Sequence, residues 1–421
     1  MELFDFQKEV LQQSKGFNKV AYYYDMGLGK TFIGAEKLIQ LNKKINLVVC
    51  QKSKVNDWIK HFEKHYPKTN IFDLTNKKIY EDFIFGLFED LPVIAVINYD
   101  VLFRRPELAK LKDFTLMLDE SSLIQNESSK RSKFILYKLK PANIILLSGT
   151  PTGGKYEKLW SQLYLLGYKI NKNTYWNEYV DYYKHTRFGF PLTVINGYKN
   201  VDRLKRKMSE YGCFFKKTDE VFSLPEQTFI DVKCEPSKEY KKFKKTSVVK
   251  IDNEELIGDT TLTQLLYERQ LCGMYSDDKI SQLRDLLSST DDRVIVFYNF
   301  NKELYAIEDV CFELDKPTSI VNGDSKDLAC YEEFNNSVTI IQYQSGSMGL
   351  NLQKANKIIY FTPCLSSELF EQSKKRTHRI GQNKTCFYYQ LICKNSVEEK
   401  IYSTLALRKD FTEKLFEGVE K

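Results

Sequence analysis

Tyr24-Asp25-Met26-Gly27-Leu28-Gly29-Lys30-Thr31 is the stretch on which the fold turns. Lys19 to Tyr24 predicts a short strand, Met26 to Gly29 a loop, and Lys30 to Gln40 an amphipathic helix with Phe32, Ile33, Ala35, Leu38 and Ile39 apolar. Strand, glycine loop and helix in that order make a phosphate cradle. Gly27 and Gly29 let backbone N–H groups turn toward an anion, and the helix start adds the positive end of its dipole. In such a cradle Lys30 reaches the β- and γ-phosphates of a nucleotide and Thr31 offers its hydroxyl to Mg²⁺. Tyr24 stands where the general phosphate-loop pattern has its first glycine, so the loop alone is also readable as a chance Gly-x-Gly-Lys-Thr.

Two distant segments supply what a phosphate loop needs for hydrolysis. Thr115 to Leu118 is an apolar β-type run ending in the adjacent carboxylates Asp119 and Glu120. Asp119 is placed to hold Mg²⁺, directly or through water, and Glu120 to orient and deprotonate the attacking water. Arg376 and Arg379 lie together in a chain with 12 Arg against 51 Lys. At helical spacing the two would share one face and enter one anionic site as arginine fingers. The bland alternatives are an acidic surface turn for the carboxylates and a solvated basic face, beside Lys374 and Lys375, for the arginines.

At 421 residues the chain calls for two domains of roughly 150 to 220 residues, and an apolar fraction of 42% fills two cores. A net charge of +7 permits a polyanion partner without demanding one. Basic clusters at Arg203 to Lys207, Lys216 to Lys217 and Lys241 to Lys245 read equally well as solvated helix faces. Nine cysteines occur singly, without Cys-x-x-Cys, and read as reduced core thiols. No run of about 18 apolar residues and no basic-then-apolar N-terminal segment is present, so no membrane segment and a cytoplasmic protein are expected. His61-Phe62-Glu63-Lys64-His65 does not match a zinc helix, and both histidines are expected at the surface.

Apolar runs between helical stretches recur at Val20 to Tyr24, Asn46 to Cys50, Val93 to Asn98, Thr115 to Leu118 and Asn143 to Ser148. A second series follows at Arg293 to Tyr298, Ser319 to Asn322, Val338 to Ile341, Lys357 to Phe361 and Phe387 to Ile392. Continuous apolar strands between helices imply parallel α/β sheets. The expected organisation is a nucleotide-binding lobe at 1–152, a helical insertion and linker at 153–277, and a second α/β lobe with a C-terminal helix at 278–421. Trp58, Trp160 and the Leu159 to Leu166 helix are assigned to the core. With loop and acids in one lobe and arginines in the other, hydrolysis is expected to need closure of the two.

These segments together resemble superfamily 2 helicases, and within them the Swi/Snf-type DNA translocases, almost from end to end. Asp25 to Thr31 is similar to the first family motif, and Leu47 to Ser53 with Asn56 and Trp58 to the next. Leu118-Asp119-Glu120-Ser121-Ser122 with Ile124 and Asn126 is similar to the Asp-Glu box, and Leu147-Ser148-Gly149-Thr150-Pro151 to the third motif. Ser345 to Leu352 resembles the fifth motif, and Gln372 to Gln382, ending Arg-Ile-Gly-Gln, the sixth. The resemblance implies two RecA-like lobes and an ATP site made of Gln7, Met26, Gly27, Leu28, Gly29, Lys30, Thr31, Gly349, Asn351 and Gln372. It also implies coupling of nucleotide state to DNA through Ser148, Gly149 and Thr150. The chain departs from the family at Ser122, where many relatives carry His, at Lys375, where Asp is usual, and at Ser347, where Gly is usual.

On this resemblance the expected activity is a DNA-dependent ATPase that uses Mg²⁺ and ATP to track along or remodel duplex DNA without reading sequence. Phosphate contacts are expected from Lys52, Ser53, Asn98 and Tyr99 in the first lobe and from Ser345 and Gly346 in the second. The alternatives are a strand-separating helicase on DNA or, less favoured, RNA, and an ATP-gated clamp that binds DNA or a protein and hydrolyses little. A monomer, directed by a targeting protein, is the expected form. The Lys-, Asn-, Ile- and Tyr-rich composition and the minimal size resemble small viral or bacteriophage members, which would place it in a host cytoplasm.

Overall fold

The computed structural model describes residues 2–86, 91–187, 190–251, 254–346 and 350–416. The strands of the first half are β1 (Lys19–Tyr24), β2 (Ile45–Cys50), β3 (Asn70–Asp73), β4 (Val93–Asn98), β5 (Thr115–Asp119), β6 (Asn143–Leu147), β7 (Val180–Arg187), β8 (Phe190–Tyr198) and β9 (Cys213–Lys216). Those of the second are β10 (Gln227–Cys234), β11 (Val248–Ile251), β12 (Glu254–Ile257), β13 (Val294–Tyr298), β14 (Thr318–Val321), β15 (Val338–Gln342), β16 (Lys357–Tyr360) and β17 (Cys386–Cys393). The chain forms two compact units, Met1–Val221 and Phe222–Lys409, residues beyond 409 aside.

Each unit is built on one parallel sheet. The first runs β3-β4-β2-β5-β6-β1-β9 and the second β10-β17-β16-β13-β15-β14. All described pairings within them are parallel. The inner strands β2, β4 and β6 are buried almost throughout, which is why they read as unbroken apolar runs rather than alternating ones. In the second unit the two sheet faces have separate cores: Val294, Val296 and Tyr298 point into one, Ile295 and Phe297 into the other. The two α/β lobes expected from the apolar runs are therefore present.

The segment 153–277 differs from a helical insertion. Among the described residues it carries six strands, β7 to β12, besides its helices. β9 extends the first sheet by pairing with β1, and β10 extends the second by pairing with β17. Both are edge strands, and β10 alternates exposed and half-buried residues along Gln227–Cys234. Edge strands need no continuous apolar run, so the signal that finds inner strands is silent there. β7–β8 and β11–β12 are two-stranded antiparallel ribbons.

All nine cysteines are free thiols and eight of them are buried. Among the described residues no helix is long and apolar enough to cross a membrane. In the second core the sulfurs of Cys272 and Cys393 and a Glu398 oxygen lie within 4.8 Å of one another. That spacing suits a metal, but Lys279 already supplies the positive charge: its ammonium donates to both Glu398 oxygens at 2.7 and 2.8 Å. Lys279 is 0% and Glu398 1% exposed. Burial pushes the lysine's pKa down, but the Glu398 carboxylate together with Cys393 and Cys272 outweighs it and the net shift is upward. Glu398→Gln therefore leaves the buried lysine charge without its counter-charge, and denaturant unfolding of the full chain should show a loss of roughly 3–5 kcal/mol. The paired replacement Lys279→Met with Glu398→Leu should unfold much closer to the parent.

Candidate nucleotide site

β1 ends at Tyr24, and the chain turns through Gly27 (φ +90°) and Gly29 (φ +70°) into α2 (Lys30–Gln40). Gly29 caps the helix in the left-handed region, where a side chain would be strained; a Cβ there would also stand 2.4 Å from Gln7 Nε2. Gln7 comes from α1 (Asp5–Gln13) and is buried; its Nε2 donates to Leu28 O at 3.0 Å and its Oε1 accepts from Phe4 N at 3.0 Å. It thus stitches α1 to the loop. Lys30 Nζ donates to Tyr24 O at 2.7 Å and Asp25 O at 3.1 Å. Asp25 Oδ2 accepts from Thr218 N at 3.1 Å, which anchors the loop to the chain just beyond β9.

The acids arrive two strands away. Sheet order places β6 between β1 and β5, so Ser148-Gly149-Thr150 emerges between the glycine loop and Asp119-Glu120. Ser148 Oγ donates to Glu120 Oε1 at 2.5 Å, and Ser122 Oγ donates to the same oxygen at 2.8 Å. Thr150 N donates to Ser148 Oγ at 3.2 Å. A Cβ on Gly149 would meet Lys30 Nζ and Met26 Cγ, each at 3.3 Å, so the middle loop packs directly on the phosphate-loop lysine. Glu120 is held at φ +58°, an uncommon conformation for a non-glycine residue and a local strain at the turn out of β5.

Burial raises the pKa of both acids. For Asp119 it is opposed by the Trp58 N–H and by Lys30 and Lys54. For Glu120 it is opposed by Ser148, Lys30 and Ser122, while the Asp119 charge adds to the rise. A carboxylate raised in this way is a better proton acceptor near neutrality than an exposed one. Thr31 and Asp119 offer a hydroxyl and a carboxylate, hard oxygen donors suited to Mg²⁺.

Gln162 is a site residue that the sequence does not single out. It lies fully buried on the helix Trp160–Leu166, within the stretch assigned to packing. Its Oε1 accepts from Tyr23 OH at 3.0 Å and Ser121 Oγ at 2.7 Å, and its Nε2 donates to Pro151 O at 2.8 Å. One amide joins β1, the acid turn and the end of the middle loop. The available signal was a glutamine inside Leu-Trp-Ser-Gln-Leu-Tyr-Leu-Leu.

The first-unit residues expected to touch a polymer divide by burial. Lys52 and Ser53 are exposed on the turn Lys52–Lys54. Asn98 and Tyr99 are 4% and 2% exposed, and the Tyr99 hydroxyl donates inward to Asp119 O at 3.0 Å, so both face the interior. His61 and His65 are half-buried instead of lying at the surface, because α3 (Val55–His65) turns them onto Phe32 at ring distances of 5.0 and 5.9 Å. Burial, then the charge of His65, lowers the His61 pKa to about 4.

Within the second unit the helix Ser367–Lys374 carries Gln372 and ends before the arginines. Arg376 and Arg379 lie in tight turns, with Arg376 N donating to Ser373 O at 3.3 Å and His378 N to Lys374 O at 3.2 Å. The expectation of one helical face is corrected accordingly: Arg376 is 1% exposed, whereas Arg379 is partly exposed and donates from Nη1 to Asn351 Oδ1. The turn brings Gln382 back, its Nε2 donating to Gln353 O at 3.1 Å and Ala355 O at 2.9 Å. Ser345 is 4% exposed on the short helix Tyr343–Gly346. Gly349, and the departure at Ser347, lie outside the described residues.

The model of the SNF2-related domain matches residues 23–276, and that of the helicase conserved C-terminal domain matches residues 278–381. The ISWI chromatin-remodeling complex ATPase ISW1 of Saccharomyces cerevisiae is 24% identical over 92% of this chain and 38% of its own length. An uncharacterized ATP-dependent helicase of Mycoplasma pneumoniae is 24% identical over 93% of this chain and 39% of its own. The chain thus spans about two-fifths of the length of these relatives. A solved structure described as the Sulfolobus solfataricus SWI2/SNF2 ATPase core in complex with dsDNA aligns with 99% of this chain and 93% of that one, at 18% identity and a TM-score of 0.46. Since the SNF2-related match alone covers more than half of the sequence and the helicase C-terminal match follows it directly, the chain belongs to the Swi/Snf-type, SNF2-related family of superfamily 2 helicase-like proteins.

Proposed function

We propose that this protein is a Mg²⁺-dependent ATP hydrolase whose turnover is driven by duplex DNA. The observation that carries the reading is the convergence, at the ends of β1, β6 and β5, of Lys30, Ser148 and the pair Asp119–Glu120. In it the N–H groups of Met26 to Gly29 and the start of α2 receive the phosphates, and Lys30 leaves the Tyr24 and Asp25 carbonyls for the β- and γ-phosphates. Thr31 and Asp119 hold Mg²⁺, which when bound neutralises charge on the phosphates. Glu120 takes a proton from the attacking water. Arg376 and Arg379 of the second unit are the cations for charge developing on the γ-phosphate, with Gln7, Gly349, Asn351 and Gln372 completing nucleotide recognition.

Ser148, Gly149 and Thr150 are proposed as the coupling element, because their loop touches both the phosphate-loop lysine and the general base. For the polymer contact, Lys52 and Ser53 are the exposed candidates. Backbone-phosphate contacts of this kind are sequence-independent, and DNA affinity should fall steeply with salt.

The test is the steady-state ATPase rate with no nucleic acid, duplex DNA, single-stranded DNA and RNA, with Lys30→Ala as the blank. Strong stimulation by duplex DNA and a blank at background are the expected results. A native rate equal to the blank with every polymer would remove the motor and leave the ATP-gated clamp. A strand-displacement assay separates translocation from unwinding.

A further inference from the structure

Asp119 is gripped from outside its own strand. Its Oδ2 accepts a hydrogen bond from Trp58 Nε1 at 2.8 Å. Trp58 is 2% exposed, lies one turn into α3, and stacks on Phe62 with ring centroids 5.5 Å apart at 25°. Packing alone would not call for an indole here, because a phenylalanine ring would fill much of the same space. A buried indole N–H usually finds an acceptor, and a backbone carbonyl is enough to satisfy it. Trp160 is satisfied in that way, donating to Ile170 O at 3.0 Å. Trp58 instead donates to a carboxylate of the candidate nucleotide site.

The helix that carries this donor starts directly after the exposed turn Lys52–Lys54. Lys54 is itself paired with Asp57 at 2.8 Å, next to Trp58 in the chain. The helix therefore bears the indole, and the turn just before it bears the residues proposed to meet backbone phosphates.

We infer that Trp58 is a positioning residue for ATP hydrolysis: its indole N–H fixes the Asp119 carboxylate in the orientation that accepts Mg²⁺ and ties that carboxylate to the Lys52–Lys54 turn. The inference rests on the proposed role of Asp119. Physically, the N–H selects one rotamer of the carboxylate by occupying Oδ2. A hydrogen bond behind a metal-binding carboxylate typically changes metal affinity by about 10- to 100-fold when removed. A polymer bound at the turn lies at the start of the same helix, so Trp58 also links that contact to the acid.

Trp58→Phe in the full chain keeps a ring and deletes the donor. Binding of ATP would be titrated against Mg²⁺ by calorimetry, alongside thermal melting. The expected result is a Mg²⁺ midpoint raised about tenfold or more, with Mg²⁺-free nucleotide binding unchanged. Trp58→His packs worse than Phe but restores an N–H, so it should melt lower yet recover part of the Mg²⁺ affinity. A structural role alone gives the opposite ranking. The inference is overturned if Trp58→Phe keeps the native Mg²⁺ midpoint, or if Trp58→His is no better than Trp58→Phe in Mg²⁺ binding. Loss of Mg²⁺-dependent ATP binding in the native protein itself would instead overturn the role of Asp119, and the inference with it.

Discussion

Replacing Arg379 by alanine is expected to lower the DNA-stimulated ATPase rate by about 10³- to 10⁵-fold, the range in which an arginine finger acts in phosphoryl transfer. Arg379 is the better of the two arginines to test. Arg376 is buried at 1% exposure, so its removal would leave a cavity and mix folding loss with chemistry. Arg379 is partly exposed and donates to Asn351, a contact whose loss leaves both groups in reach of water. Melting temperature and Mg²⁺-ATP affinity should therefore stay near native while kcat collapses. Arg379→Lys keeps the charge but loses the planar fork, and should recover only a small part of the rate. An Arg379→Ala rate within a few-fold of native would take the finger role away from this residue.

The second large effect is at Glu120. Glu120→Gln removes the proton acceptor but keeps an oxygen for the Ser148 and Ser122 hydroxyls, so ATPase activity should fall by about 10²- to 10⁴-fold with nucleotide still bound. The same substitution should raise the melting temperature at neutral pH. Burial pushes the Glu120 pKa up, so the folded protein keeps its proton to higher pH than the unfolded chain does. Ionising it in the fold costs stability as pH rises from the ordinary carboxylate range through the raised value, and glutamine carries no such cost. The gain should vanish in acid, where the native side chain is also neutral. Melting curves of the two proteins across pH check this; a Glu120→Gln protein that is inactive and gains no more over the native protein at pH 7 than at pH 4 would contradict the electrostatic account.

The parts of the site legible in the sequence are those whose chemistry fixes residue type at short spacing. Lys30 to Gln40 is the predicted helix to the residue, because a glycine loop, a lysine and an apolar stripe locate both its start and its face. The inner strands follow from continuous burial, as at Val93–Asn98. What is not legible depends on contacts across long sequence separations. Arg376 and Arg379 read as a helical pair, but the turn is set by Gln382 reaching back to Gln353 and Ala355, which no local pattern announces. Gln162 and Trp58 each sit at an apolar-looking helical position and each spend their polar atoms on the site. Tyr99 follows a strand end where a polymer contact was expected, and its hydroxyl turns inward because the Asp119 carbonyl lies there.

The two long-range strand pairings at the sheet edges carry a consequence for how the chain is made. On the ribosome β1 emerges early, yet its β9 neighbour is not available until Cys213–Lys216 has been synthesised. β10 emerges soon afterwards and must wait for Cys386–Cys393. Parallel pairs closed over such distances form slowly, and an apolar strand left with one side open is a site of misassociation. The nascent first unit should therefore be the stage most dependent on chaperones, and ribosome-bound chains stopped before Cys213 should be far more sensitive to protease than chains stopped after Val221 has cleared the exit tunnel.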